Sequence, residues 1–93
     1  MDVRALAWRG GNEAKLAAHG ISRREAEGLI ALDQWVGYVH PDYPDQVRAV
    51  GPTRAGRFLT IALEPTDDPG VWRPVTGWEA TAGEREYHRE EYR

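Results

Sequence analysis

Three arginines, Arg48, Arg54 and Arg57, lie within residues 46–63, a stretch that contains no acidic residue. Guanidinium groups gathered this way can hold anions, because the planar fork presents parallel N–H donors to a carboxylate or a phosphate. Arg73 follows beyond an acidic interval that includes Glu64, Asp67 and Asp68. The net charge is nevertheless −3, with further acids at Asp42, Asp45 and along the C-terminal tail. Nucleic-acid-binding domains usually carry an excess of Lys and Arg, so the pattern reads as a local cationic face on a globally acidic protein. Eleven of the twelve basic residues are Arg, Lys15 being the other. That bias is weak by itself, since a GC-rich genome produces it too.

Imidazole exchanges protons near neutral pH, which makes His19 a candidate acid or base. A bland role competes with it: His19 stands where a helix ends, and a histidine there can bind the last carbonyls. His40 reads as a surface residue and His88 as a partner of Glu84 on the exposed side of a helix. The three lack HExxH or HxxxH spacing, and there is no cysteine, so neither a metal site nor a thiolate nucleophile is expected. No cofactor is expected either. A phosphate-binding loop, a nucleophile elbow and a paired-carboxylate arrangement are all missing, which leaves a stand-alone small-molecule enzyme little support. Four tryptophans stand in 93 residues. Trp78 could stack on a base, or belong to the core or a partner interface. Exposed aromatics on the strands would suit partner docking or a homodimer.

These side chains need elements to position them. The length suits one domain, residues 1–93, with a modest core. No apolar run approaches a membrane span and residues 1–4 lack a signal-peptide pattern, so no membrane association and a cytoplasmic location are expected. Alternation over residues 3–8 predicts a first strand. Gly10-Gly11 breaks it, Asn12 is a good N-cap, and residues 13–18 read as a helix closed by Gly20. Ser22 and Glu25 form a capping box, with Ile21 and Ala26 placed as a hydrophobic staple, so residues 22–32 are helical. Strands follow at 35–40, 46–50, 57–64 and 71–78, with Leu59, Ile61 and Leu63 on one face. Pro74 removes a ladder donor and predicts an edge or a bulge. Thr81 and Glu84 form a second capping box, opening a helix to about residue 91, with Tyr87 turned inward and Glu86–Arg89 and Glu90–Arg93 spaced as ion pairs. The expected class is α+β: a strand and two helices, a four-stranded antiparallel sheet, and a C-terminal helix.

Three blocks of this order resemble a known family. Residues 12–26, with Asn12, Lys15, His19-Gly20-Ile21-Ser22 and Glu25-Ala26, are similar to the opening segment of BrnT-type toxins of bacterial toxin–antitoxin pairs. Arg48…Gly51-Pro52-Thr53…Gly56-Arg57-Phe58-Leu59 resembles that family's hairpin, and Trp72-Arg73…Ala80-Thr81…Glu84-Arg85…Tyr87 its final signature. The resemblance implies a RelE-like fold, metal-independent cleavage of RNA, and a cognate DNA-binding antitoxin as protein partner. The catalytic candidates are then Arg57 and Arg73 as cations, His19 as acid or base, and Tyr87, which matches the tyrosine after the family's Glu-Arg. Arg48, Arg54 and Trp78 are the RNA-binding candidates, Trp78 by stacking on a base and not through the resemblance. Such cleavage needs a base for the 2′-hydroxyl, cations for charge on phosphorus and an acid for the leaving oxygen. Ordinary roles compete here too: the arginines as strand-edge partners of nearby acids, and Tyr87 as the anchor of the last helix. Two departures stand out: Gly77-Trp78 replaces the family's Ala-Arg, and Ala18 replaces a cation before His19. Both remove positive charge from the expected RNA face. They motivate an alternative, a protein of the toxin fold with weakened or lost catalysis that acts by binding a partner protein.

Overall fold

The computed structural model describes residues 2–92. The element order is β1 (Ala5–Leu6), α1 (Asn12–Ala18), α2 (Arg23–Leu32), β2 (Val36–Tyr38), β3 (Val47–Pro52), β4 (Phe58–Pro65), β5 (Val71–Glu79) and α3 (Ala82–Glu91). The class is α+β, as expected, but the sheet differs from the four antiparallel strands read from the sequence. It is one five-stranded mixed sheet in the order β1-β5-β4-β3-β2. β2 to β5 form an antiparallel meander, and the N-terminal strand joins it parallel to β5, pairing Ala5 with Val71 and Leu6 with Trp72. Parallel pairing is a long-range event that no local pattern reports. β1 is also two residues long instead of six, because only that much lies against the start of β5.

Both capping boxes are present. Ser22 Oγ accepts from the Glu25 amide while Glu25 accepts from the Ser22 amide, both at 3.0 Å. Thr81 and Glu84 repeat this exchange at 3.1 and 2.9 Å. The first helix starts differently: Gly11, not Asn12, is the N-cap, with no side-chain cap. Gly10, at φ +60°, turns the chain so that Asn12 is already helical. Gly20, at φ +77°, closes α1 in the left-handed conformation the sequence implied. Pro74 lies at a bulge, where the β4–β5 register skips one residue between Ala62↔Thr76 and Leu63↔Pro74. The expected Glu90–Arg93 pair lies outside the described residues; Glu86–Arg89 is formed.

The register sorts the side chains onto two faces. Ala49, Leu59, Ile61 and Leu63 point to one face and meet Leu16, Ile21, Ala26 and Leu29 of α1, α2 and the turn between them, all fully buried. Trp35 and Trp72 pack against this core. The opposite face carries Tyr38, Arg48, Val50, Thr60, Ala62, Thr76 and Trp78. Contacts from α3 to Tyr38, Phe58 and Trp78 cover part of it. Thr60 and Ala62 are therefore buried along with the alternating leucines. The strand tryptophans are half-buried, not exposed; Tyr43 and Tyr92, both outside the strands, are the exposed large aromatics among the described residues.

Candidate functional site

On the face beneath α3 the strands bring together an arginine, two tyrosines, a tryptophan and a glutamate. Tyr38 and Arg48 are cross-strand partners on β2 and β3, so their side chains leave the same face. Trp78 reaches the cluster from β5, and Glu84 from the first turn of α3. The Arg48 guanidinium carbon lies 5.8 Å from the Tyr38 ring centre, 5.4 Å from Tyr43 and 5.0 Å from Trp78. Its Nη1 donates to the Tyr38 hydroxyl at 3.4 Å. Three ring faces thus surround the cation, and no carboxylate stands within ion-pair distance of it among the described residues.

Glu84, 8% exposed, is the node of the cluster. Its Oε2 accepts from the Tyr38 hydroxyl at 2.6 Å, and its Oε1 from the Trp78 indole at 3.0 Å and the Thr81 amide at 2.9 Å. Burial pushes the carboxyl up, but the three donors outweigh it and the net pKa lies below the ordinary 4.5. Glu84 is therefore a buried carboxylate at neutral pH. Tyr38 moves the other way: burial raises its hydroxyl, and the adjacent Glu84 charge adds to this, so it stays protonated despite Arg48. Tyr87 stands at the rim, its ring edge-on to Tyr38 at 5.8 Å. Its hydroxyl donates to the Gly37 carbonyl at 2.9 Å, so its inward role is to tie α3 to β2.

The other candidates lie elsewhere. Arg57 donates to the Gly20 carbonyl at 2.9 Å and to Glu25 at 2.7 Å, with Glu79 at 3.9 Å. It clamps the α1–α2 turn to the start of β4. Arg73 pairs with Glu64, which also accepts from Gln46 at 3.1 Å. Glu64 is seven residues beyond Arg57 along β4, roughly 23 Å at a rise of about 3.3 Å per residue. The two arginines cannot grip one phosphate. Both carboxylates are held below their ordinary value, Glu25 chiefly by the Ser22 amide and then Arg57, Glu64 by Gln46 and then Arg73.

His19 is the exposed C-cap of α1, on the far side of the sheet from Arg48. Arg54 is exposed in the β3–β4 turn, beside a groove of about 490 Å³ lined by α2. His88 does not partner Glu84: its Nε2 lies 2.6 Å from the Gln34 carbonyl and its ring stands edge-on to Phe58. Arg48, Trp78 and Tyr87 thus converge, whereas Arg54, Arg57, Arg73 and His19 do not join them. Tyr38, Tyr43 and Glu84 are site residues that motif reading passed over. The available signal was that Tyr38 and Arg48 flank one turn-rich loop, at positions that pair across it. Among the described residues no cluster of His, Asp and Glu could hold a metal, and no helix is long and apolar enough to cross a membrane.

No known protein family matches this chain, and no curated protein matches it at a significant level.

Proposed function

We propose that the chain is the toxin component of a toxin–antitoxin pair, with a RelE-like arrangement and metal-independent RNA cleavage centred on Arg48 and Tyr38. The observation that carries this is a convergence. Arg48 belongs to the second block of the toxin resemblance and Glu84 and Tyr87 to the third, yet they meet in one cluster, which Trp78, a departure from the family, joins. In this reading Arg48, held by ring faces instead of an acid, offers its charge to a phosphate. The 2′-oxygen attacks phosphorus as its proton leaves to solvent, and the bond to the 5′-oxygen breaks. Tyr38, kept protonated, gives its proton to that leaving oxygen and regains one from solvent, while Trp78 with Tyr43 offers surfaces for a base. Glu84 positions Tyr38 and Trp78 without touching RNA.

A second reading is favoured by a specific observation. The only carboxylate of the cluster is occupied by three donors, so no base for the 2′-hydroxyl stands free there, and Arg57 and Arg73 are neutralised. A toxin-fold protein that works by binding its partner would look the same. Purified protein incubated with RNA in EDTA separates the two. The nuclease reading expects cleavage that falls by about 10²-fold or more in Tyr38→Phe and Arg48→Ala but persists in Arg73→Ala. Absence of cleavage and of growth arrest on expression refutes it, and leaves the binding role.

A further inference from the structure

Charge is segregated along this chain in a second way. Residues 25–47 hold five acids, Glu25, Glu27, Asp33, Asp42 and Asp45, and no Lys or Arg. This segment forms most of α2, β2 and the loop into β3, and at its edge lies a groove of about 420 Å³. Asp33, Trp35, Gly37, Tyr38, Val39 and Val47 line it. Trp35, Gly37, Val39 and Val47 share the face that α1 and α2 cover further along, so an apolar strip emerges from the core here without a helix over it. Val39 is 53% exposed. Gly37, which has no side chain, lies between Trp35 and Val39 in this lining. The loop joining Val39 to Val47 carries Asp42 and Asp45, and Asp33 stands at the other end.

Addition of a strand to β2 would be the obvious use of such an edge, but α3 already occupies part of it. The Gly37 carbonyl takes the Tyr87 hydroxyl at 2.9 Å, and the Gln34 carbonyl is within 2.6 Å of His88 Nε2. The groove's side chains are therefore the better-placed recognition elements.

We infer that this groove docks a basic, amphipathic segment of a protein partner, an apolar side chain seated among Trp35, Val39 and Val47 and Lys or Arg residues facing Asp33, Asp42 and Asp45. Nucleic acid is disfavoured there by the same acids, which repel phosphate. The inference rests on the partner half of the toxin–antitoxin reading and is independent of RNA cleavage. The complementary charges set the encounter rate and orientation, and the buried apolar anchor supplies the affinity.

The probe is a fluorescein-labelled amphipathic peptide of Leu, Lys and Arg, beside a twin in which every cation is Glu, titrated with the full chain by anisotropy. The basic peptide should bind about tenfold or more tightly than its twin, with a preference that shrinks at high salt. Val39→Asp should weaken binding about tenfold; the side chain is exposed, so the fold survives, and circular dichroism verifies this. Asp42→Lys with Asp45→Lys should erase the preference, and Asp33→Asn, compatible with that residue's φ of +56°, should reduce it. Equal binding of the twins, no binding, or indifference to Val39→Asp overturns the inference. So does competition by an RNA oligonucleotide that persists in Arg48→Ala, or sedimentation showing self-association through Val39. Should the protein bind the basic peptide yet neither cut RNA nor arrest growth, the nuclease reading fails and the docking groove stands.

Discussion

Glu84→Gln tests the cluster most directly, because it keeps the shape of the side chain and removes only the charge. The amide oxygen can take the place of Oε1 and still accept from Trp78 and Thr81, while its nitrogen faces the Tyr38 hydroxyl, which turns to accept. Three bonds to a carboxylate thereby become neutral. Hydrogen bonds to charged groups contribute about 1.5–3 kcal/mol and neutral ones about 0.5–1.5, so the loss is roughly 1 kcal/mol per bond. The neutral amide is easier to bury, which offsets part of this, leaving about 2 kcal/mol of destabilisation. In a domain of this size that lowers Tm by roughly 8–16 °C. Thermal and urea melts followed by circular dichroism measure it. The pH dependence adds an independent check. Because the folded pKa of Glu84 lies below the ordinary 4.5, its stabilisation is fully present above that value and is lost as pH falls through the folded pKa. The gap between wild type and variant should therefore be constant near neutrality and close as pH drops below about 4.5. Both proteins keep the acid sensitivity due to Glu25 and Glu64, whose values are also lowered. A change under about 0.5 kcal/mol at pH 7, or a gap that widens in acid, refutes the role assigned to Glu84.

Two backbone predictions are equally concrete. Ser22→Ala removes the first capping box and should cost about 1 kcal/mol in urea unfolding, with Ser22→Thr restoring most of it. Gly51→Ala should cost more, about 2 kcal/mol or above, since an added Cβ would sit 2.8 Å from both the Trp35 Cα and Cβ. Thermal melts rank the two, and the reverse order would mean that β2 yields to β3 without strain.

Local chemistry made much of the architecture legible. Ser22–Glu25 and Thr81–Glu84 are contiguous signals whose donors and acceptors lie within one helical turn, and both boxes form as spelled. The alternation of Leu59, Ile61 and Leu63 marked the central strand and its core face. Boundaries slipped where neighbours decided them. β3 runs to Pro52 because Phe58 pairs with it, although Gly51-Pro52 reads as a turn, and β1 shrinks to what β5 can hold. The candidate site was half legible: Arg48, Trp78 and Tyr87 were marked by their types, whereas Tyr38 and Glu84 were not. Glu84 looked like a capping residue and is one, but the same carboxylate also serves two strands.

Charge is where sequence and structure part most clearly. The acid-free stretch that holds Arg48, Arg54 and Arg57 is a fact of the chain, as are the absence of cysteine, the helix caps and the −3 balance. Whether those arginines remain available is not, because a guanidinium is neutralised by whatever carboxylate packing delivers to it. Glu25 comes to Arg57 from 32 residues away, and Glu64 reaches Arg73 across the β4–β5 pairing. Arg48 meets instead the rings of Tyr38, Tyr43 and Trp78. Residue types and short-range caps act within a turn or a strand and are determined by sequence alone. The partner of each charge depends on sheet order and register, which exist only once the chain has closed on itself.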